Sequence, residues 1–406
     1  MSSVMNLLMI TPALGTGGAE WAFVRQANAL VAIGCKVTCY LPYLSESSKA
    51  LVSAIDPSVN IVPLTWMTTF RHSVICKLSQ MLPINIELVM HSFVLRKLHR
   101  HQRFDAVNPH LNIGTVIACK AFEHLPVPIV ETDHGDYALL MQKDPSLKSQ
   151  ALLLRRLDAM ICPAHVNQVR IARLPWCPRF RSTVIPYAYD PPHHKLERAV
   201  PDDGVFTFGM VGRGVAEKGW KEAIAAFQSV LESVPKPPRL ILVGGGTYLE
   251  TLQRELHAAL RPHVIFAGAQ SDPRPWVESF DIGLLPSYFT AESLPNVIIE
   301  CLAQGKPVIA TRVGGIAEML GSQMCPCGLL IDLDAATGRA DVPALAVAMR
   351  QVMEDAQLRQ TLAQNTDRAT QRYLPATVAA AQLAFFQECL CLPHSEAAPL
   401  PQALLA

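Results

Sequence analysis

Apolar residues occur along this chain in short, nearly unbroken runs. Each run is followed by a turn rich in glycine, proline or charge, and then by a stretch of helical period. Runs too short for helices predict strands buried on both faces. Their alternation with helices predicts a parallel α/β sheet with right-handed crossovers. In the first half the strands are expected at 5–11, 35–40, 59–63, 106–109, 128–132, 159–163 and 182–186, with an amphipathic helix over 19–31. In the second half they are expected at 205–211, 240–246, 264–268, 281–287, 307–311 and 328–332. Residues 190–203, dense in proline and charge and containing His193-His194, read as a linker. Helices are predicted over 342–373 and 376–390, and the proline-rich end, 391–406, as a disordered tail.

Two carboxylates stand out in 281–315. Glu292 follows the strand predicted to end at Ser287, and Glu300 falls inside a helix expected over 294–304. Open α/β sheets bind ligands at this edge. Proline is tolerated only in a first helical turn, so Pro295 sets the helix start near Ser293, a plausible N-cap. Glu292 then lies outside the helix and Glu300 about two turns into it. First-turn amides carry partial positive charge and suit a phosphate. Taken alone, a solvated loop glutamate and an exposed helix glutamate explain the pair equally well.

Other strand–helix junctions repeat the theme. Gly15-Thr16-Gly17-Gly18 lets backbone approach a ligand closely, although it lacks the full dinucleotide fingerprint. After the strand at 205–211, Gly212-Arg213 and Glu217-Lys218-Gly219 place a guanidinium and an ammonium where they would clamp a diphosphate. Gly244 and Gly268 close the next two strands. His110, Asp133, His134 and Asp136 gather at strand ends on the same edge as Gly17 and Gly18. A lone histidine is more often structural; two histidines with two aspartates on one edge favour a functional reading for His134.

Composition narrows the picture. With 406 residues, half of them apolar, the chain can bury two cores. The 20 Lys/Arg and 13 Asp/Glu of residues 1–199 contrast with 15 and 21 in 200–406, so a basic half adjoins an acidic one. Residues 70–104 are apolar and basic, with Glu87 the one acid among six Lys/Arg. They read either as a surface for anionic membrane lipid or as a helix packed on the sheet with a solvated basic face. The 11 scattered cysteines form no zinc spacing and read as the reduced thiols of a cytoplasmic protein. No metal site and no nucleic-acid partner are expected.

Assembled in order, these motifs resemble the family 4 retaining glycosyltransferases (glycosyl transferases group 1). The resemblance rests on Gly17-Gly18-Ala19-Glu20, Gly212-Arg213 with Glu217-Lys218-Gly219, and Val243-Gly244-Gly245-Gly246. It continues through Leu285-Pro286-Ser287, the block from Glu292 to Glu300, 305–311, and Val313-Gly314-Gly315-Ile316 with Glu318. It spans essentially the whole chain and is strongest over 205–320.

The resemblance implies a GT-B fold of two Rossmann-like domains facing across a cleft. They would be an acceptor domain at 1–189, to which the last helix returns, and a nucleotide-sugar domain at 203–373. It implies sugar transfer from a UDP- or GDP-linked donor, without a metal or other cofactor, to a saccharide or lipid-linked acceptor, in polysaccharide or lipopolysaccharide synthesis. The protein would sit in the cytoplasm, at the inner face of the membrane where 70–104 engages it. Arg213 and Lys218 would neutralise the diphosphate and Glu300 would hold the ribose. Glu292 and His134 would meet the transferred sugar. Ser293 and the amides near Leu294, Asn296 and Val297 would join the donor site with Gly17, Gly18, Gly212, Gly244 and Gly268. His110, Asp133 and Asp136 are assigned to the acceptor. Two departures stand out: Tyr187-Ala188 where Asn-Gly is common after the interdomain proline, and Ser293 where glycine is usual. The alternatives are a GT-B nucleotide-sugar 2-epimerase and a non-catalytic nucleotide-sugar-binding protein.

Overall fold

A computed structural model describes residues 4–15, 17–44, 48–64, 86–135, 155–172, 181–192, 196–321 and 325–391; structural statements concern these residues. Asp136, His193-His194, the tail beyond Cys391 and the part of the basic segment before Ile86 lie outside them. The chain divides into two compact units, Met1–Ala188 with Tyr373–Ala406, and Tyr189–Arg372.

In the first unit the strands are β1 (Asn6–Ile10), β2 (Lys36–Leu41), β3 (Asn60–Pro63), β4 (Ala106–Pro109), β5 (Val130–Thr132), β6 (Ala159–Cys162) and β7 (Arg181–Val184). All pairings are parallel, in the orders β3-β2-β1-β4 and β5-β6-β7. Bridges Val107–Ile129 and His110–Thr132 link the two sets. Side chains alternate across the sheet. Leu7 and Met9 enter one core with Phe23, Ala27 and Leu30, which Val378, Phe385 and Phe386 of the last helix, Pro375–Leu390, complete. Leu8 and Ile10 enter the opposite core, beneath helices Ile86–Gln102 and Leu111–Ala121. Both faces are covered, which is why the strands read as apolar runs.

The second unit holds β8 (Thr207–Val211), β9 (Arg239–Val243), β10 (Val264–Gly268), β11 (Ile282–Leu285), β12 (Val308–Thr311) and β13 (Gly328–Ile331). Their order is β10-β9-β8-β11-β12-β13, all parallel. The chain leaves β8 toward one edge and returns on the other side at β11. The C-terminal ends of β8 and β11 therefore flank a topological switch point, where a ligand crevice forms.

Three local expectations need correction. The helix expected over 294–304 is Asn296–Leu302, with Pro295 as its N-cap at φ −64° and ψ 117°. Ser293 is not the cap; its carbonyl accepts the Gly315 amide at 3.0 Å. The residue before a proline is disfavoured in the helical region, so Leu294 stays outside the helix, which opens at Asn296. The helix expected over 342–373 is interrupted at Asp355. Its backbone is extended there, and its side chain caps the helix Ala356–Thr370 by accepting the Leu358 amide.

Candidate functional site

Two clusters form, one at each switch point. In the second unit β8 runs into Gly212, Arg213 and a short 3-10 turn, Ala216–Lys218. Gly219 then turns the chain into helix Trp220–Leu231 at φ 82°. A side chain there would place its Cβ 2.0 Å from the Pro286 carbonyl oxygen, so only glycine brings this loop against the end of β11. Trp220 Nε1 donates to the Arg213 carbonyl at 3.0 Å and fixes the loop from behind. The Gly212 amide bonds Val243 O and the Gly244 amide bonds Gly268 O, both at 3.0 Å, so the three expected donor-site glycines line adjoining strand ends.

Lys218 and Glu292, 74 residues apart, meet here. Lys218 Nζ lies 2.9 and 2.7 Å from the two carboxylate oxygens. Both side chains are largely enclosed, with 14% and 8% exposed. Ser287 Oγ sits 2.7 Å from Glu292 Oε2 and 3.1 Å from the Glu217 carbonyl. Thr311 Oγ1 donates to the Ser287 carbonyl. The Phe289 ring centroid lies 5.9 Å from the ammonium. Behind the carboxylate, Gly314 (φ 58°) packs so closely that a Cβ would fall 1.8 Å from Glu292 O. The sequence reading gave Lys218 and Glu292 separate roles; the fold makes them one ion pair. Arg213 is exposed, and its side chain forms no ion pair among the described residues. Leu294 is buried ahead of the helix, Asn296 and Val297 open it, and Glu300 lies half-buried inside it. The Arg274 guanidinium is pushed up chiefly by its bond to Asp272, with a smaller contribution from the Glu300 charge.

In the first unit Gly17 is the N-cap of helix Gly18–Ala32. The Glu20 carboxylate folds back over the turn, 2.4 Å from a Cβ placed at Gly17 and 3.2 Å from one at Gly15, and complements the helix N-terminus. On the same edge His110 Nδ1 lies 2.9 Å from His134 Nε2, and His110 Nε2 lies 3.0 Å from Asn108 Oδ1. Gln26 Nε2 donates to that oxygen at 2.7 Å. His134 stacks on Tyr187, 5.3 Å between centroids, and Phe23 meets His110 edge-on at 4.9 Å. Burial holds the His134 imidazole down to about 3. Burial and the neighbouring His134 hold His110 well below its ordinary value.

His110 and Asp133, read from sequence as acceptor contacts, are each 1% exposed. Both ring nitrogens of His110 are engaged. Asp133 accepts from the Gly135 amide at 2.8 Å and from Asn167 Nδ2 at 2.9 Å. Both side chains lie under the surface. Sequence reasoning missed Gln26, Asn108 and Ser287 as parts of these clusters. Asn108 has a signal, since it precedes His110 by two residues and so shares its strand face. Gln26 is a polar residue on the apolar face of its helix. Among the described residues no set of His, Cys, Asp or Glu is grouped to hold a metal. Burial pushes the Cys39, Cys119 and Cys301 thiols up, away from thiolate chemistry.

Comparison with known proteins adds the class. HepE of Anabaena, solved with UDP, superposes with a TM-score of 0.71 at 18% identity, over 95% of this chain and 100% of that one. WaaG, a glycosyltransferase involved in lipopolysaccharide biosynthesis, superposes at 0.64 and 17% identity, over 93% and 99%. At these identities the likeness is one of fold: the chain has the GT-B architecture. The model of Glycosyltransferase Family 4 matches residues 16–192 and that of Glycosyl transferases group 1 matches 205–355. The chain belongs to this family of glycosyltransferases.

Among its relatives, the lipopolysaccharide core biosynthesis glycosyltransferase LpsE of Rhizobium meliloti is 30% identical over 219 residues, 52% of this chain and 58% of that protein. The putative teichuronic acid biosynthesis glycosyltransferase TuaC of Bacillus subtilis is 36% identical over 111 residues, 27% of this chain and 26% of that protein. This chain thus matches little more than half the length of the first and about a quarter of the second.

Proposed function

We propose that the protein is a retaining glycosyltransferase that moves a sugar from a nucleotide-diphosphate donor to an acceptor hydroxyl, in cell-surface polysaccharide or lipopolysaccharide synthesis. The observation that carries this reading is the Lys218–Glu292 pair at the switch point, with exposed Arg213 on the same loop. Cleaving a sugar–phosphate bond leaves negative charge on the departing diphosphate. Fixed cations in a partly enclosed site are the main device for stabilising it. Lys218 and Arg213 take that role. Glu292 and Ser287 hold the ammonium in place and face the sugar, and Glu300 takes the ribose. Leu294 and the amides of Asn296 and Val297 border the phosphates. A donor diphosphate competes with Glu292 for Lys218, so binding frees the carboxylate toward the sugar. The acceptor hydroxyl attacks from the face the phosphate leaves, and a phosphate oxygen takes its proton.

The names of the relatives support a cell-surface saccharide as product. Both bases occur among the similar proteins: HepE was solved with UDP, while a Mycobacterium tuberculosis relative is named as GDP-mannose-dependent. A saccharide or lipid-linked acceptor is assigned to the first unit. There the helix Ile86–Gln102 exposes Val89 and Phe93, followed at helical spacing by exposed Lys97 and Arg100. Apolar groups beside basic ones suit an anionic membrane surface. No described helix is long and apolar enough to cross a membrane. A screen of UDP- and GDP-sugars, read by thermal shift and by donor turnover with and without acceptor saccharides, tests the reading. Stabilisation and transfer with one donor class support it. An epimer formed without acceptor, or no response to any nucleotide sugar, defeats it.

A further inference from the structure

The chain Gln26–Asn108–His110–His134 has a direction that hydrogen-bond chemistry forces. It starts at the Val130 carbonyl, which can only accept. Asn108 Nδ2 lies 2.5 Å from that oxygen and 3.0 Å from Thr132 Oγ1, so this end of the amide is the nitrogen and Oδ1 faces the other way. Oδ1 is an acceptor without a proton of its own. The Gln26 amide nitrogen donates to it at 2.7 Å, and His110 Nε2, at 3.0 Å, must donate as well. A neutral imidazole carries one proton. With that proton on Nε2, His110 Nδ1 is a bare lone pair, and His134 Nε2, 2.9 Å away, must carry the proton between them. His134 Nδ1 is then bare in turn. It is buried and has no hydrogen-bond partner among the described residues. Burial keeps both rings neutral, so neither carries a second proton.

We propose that Gln26, Asn108 and His110 are positioning residues that lock His134 in its Nε2–H tautomer and present Nδ1 as a hydrogen-bond acceptor to a saccharide hydroxyl. The lock follows from the hydrogen-bond geometry and the burial of both rings; only the identity of the incoming group rests on the glycosyltransfer reading. A bare imidazole nitrogen takes an O–H or N–H and repels a phosphate oxygen. The site therefore selects the neutral, hydroxyl-bearing part of a substrate over its anionic part. The Tyr187 stack and the edge-on Phe23 ring hold the two imidazole planes, so the acceptor direction is set before the ligand arrives.

Nitrogen-15 NMR of the full chain, labelled at histidine and held near neutral pH without ligand, tests the lock. The two ring nitrogens of His134 are expected to show a protonated Nε2 and an unprotonated Nδ1. A proton on Nδ1, or an imidazolium, overturns the proposal. His110→Phe removes the acceptor that fixes the His134 proton, and its spectrum should move to a mixture of tautomers. His110→Gln keeps one donating and one accepting side and should restore the single form. With a competent donor, kcat/KM for transfer should fall about tenfold in His110→Phe, the worth of one hydrogen bond to a buried group, and recover in His110→Gln. Affinity for the bare nucleoside diphosphate should not change. Equal impairment of both variants with an unaltered His134 spectrum reduces His110 to packing and overturns the relay. If His110→Phe does not fold, the wild-type spectrum and the His110→Gln variant still decide. If no donor supports transfer, the functional reading fails while the tautomer measurement still decides the lock.

Discussion

The two units place different chemistry at the same point of the same topology. In the second unit the switch point holds an ammonium and a carboxylate in direct contact, with a guanidinium exposed beside them. In the first it holds two neutral imidazoles whose protons are assigned by amides. A charged cluster suits a ligand that gains charge during reaction, as a departing diphosphate does. A neutral relay discriminates by the direction of single hydrogen bonds, which suits hydroxyls. A basic first half and an acidic second half do not show this division. Net charge counts surface residues, whereas the enclosed groups carry the recognition.

The largest expected effect breaks the charged cluster. Lys218→Ala should lower transfer by about 100-fold or more, the usual loss for one preorganised charge-stabilising group. It should also cost about 3 kcal/mol of stability, because Glu292 is left enclosed without its counter-charge. The double variant Lys218→Met with Glu292→Gln should regain most of that stability and no activity. Thermal unfolding and turnover together check this, and additive losses in stability would show that the pair is not coupled. Next comes Gly314→Ala, which forces a Cβ onto the Glu292 carbonyl at a positive φ and should cost about 1–3 kcal/mol in denaturant unfolding.

Arg213→Ala separates charge from structure. The side chain is exposed, so stability should change by less than about 0.5 kcal/mol while nucleoside diphosphate affinity drops about tenfold in a calorimetric titration.

The neutral relay has a pH signature of the opposite kind. His134 is held to about 3 in the folded chain against an ordinary 6.5, and His110 is also lowered. The unfolded chain therefore binds more protons below 6.5. The stability these neutral rings contribute is complete above that value and is lost as pH falls toward 3. The slope is about 1.4 kcal/mol per pH unit for each ring in the interval. His134→Phe should flatten the slope between pH 6 and 4 in equilibrium unfolding. An unchanged slope would mean the ring is not held neutral. The smallest effect is expected from Phe93→Asp, which should weaken binding to anionic vesicles at low salt and leave transfer to a soluble acceptor untouched.

Much of the fold was legible because both faces of each sheet are covered. Runs such as Ile282–Leu285 and 240–243 carry no polar side chain and end at proline or glycine. Helix starts were less legible. Pro295 was read as lying inside a first turn, whereas its own extended backbone makes it the cap. The chemistry of the second site was half legible: motif order marked Lys218 and Glu292, but their ion pair depends on β8 and β11 being neighbours, which spacing along the chain does not reveal. The relay was the least legible. His110 and His134 were visible at strand ends, yet Gln26 and Asn108 look like ordinary polar residues until the sheet order places them beside His110.

Titration calorimetry with a nucleoside diphosphate, run on wild type, Arg213→Ala and His134→Phe, tests the division of labour most directly. The account predicts an affinity about tenfold weaker in Arg213→Ala and unchanged in His134→Phe. Equal weakening in both, or weakening in His134→Phe alone, would contradict it.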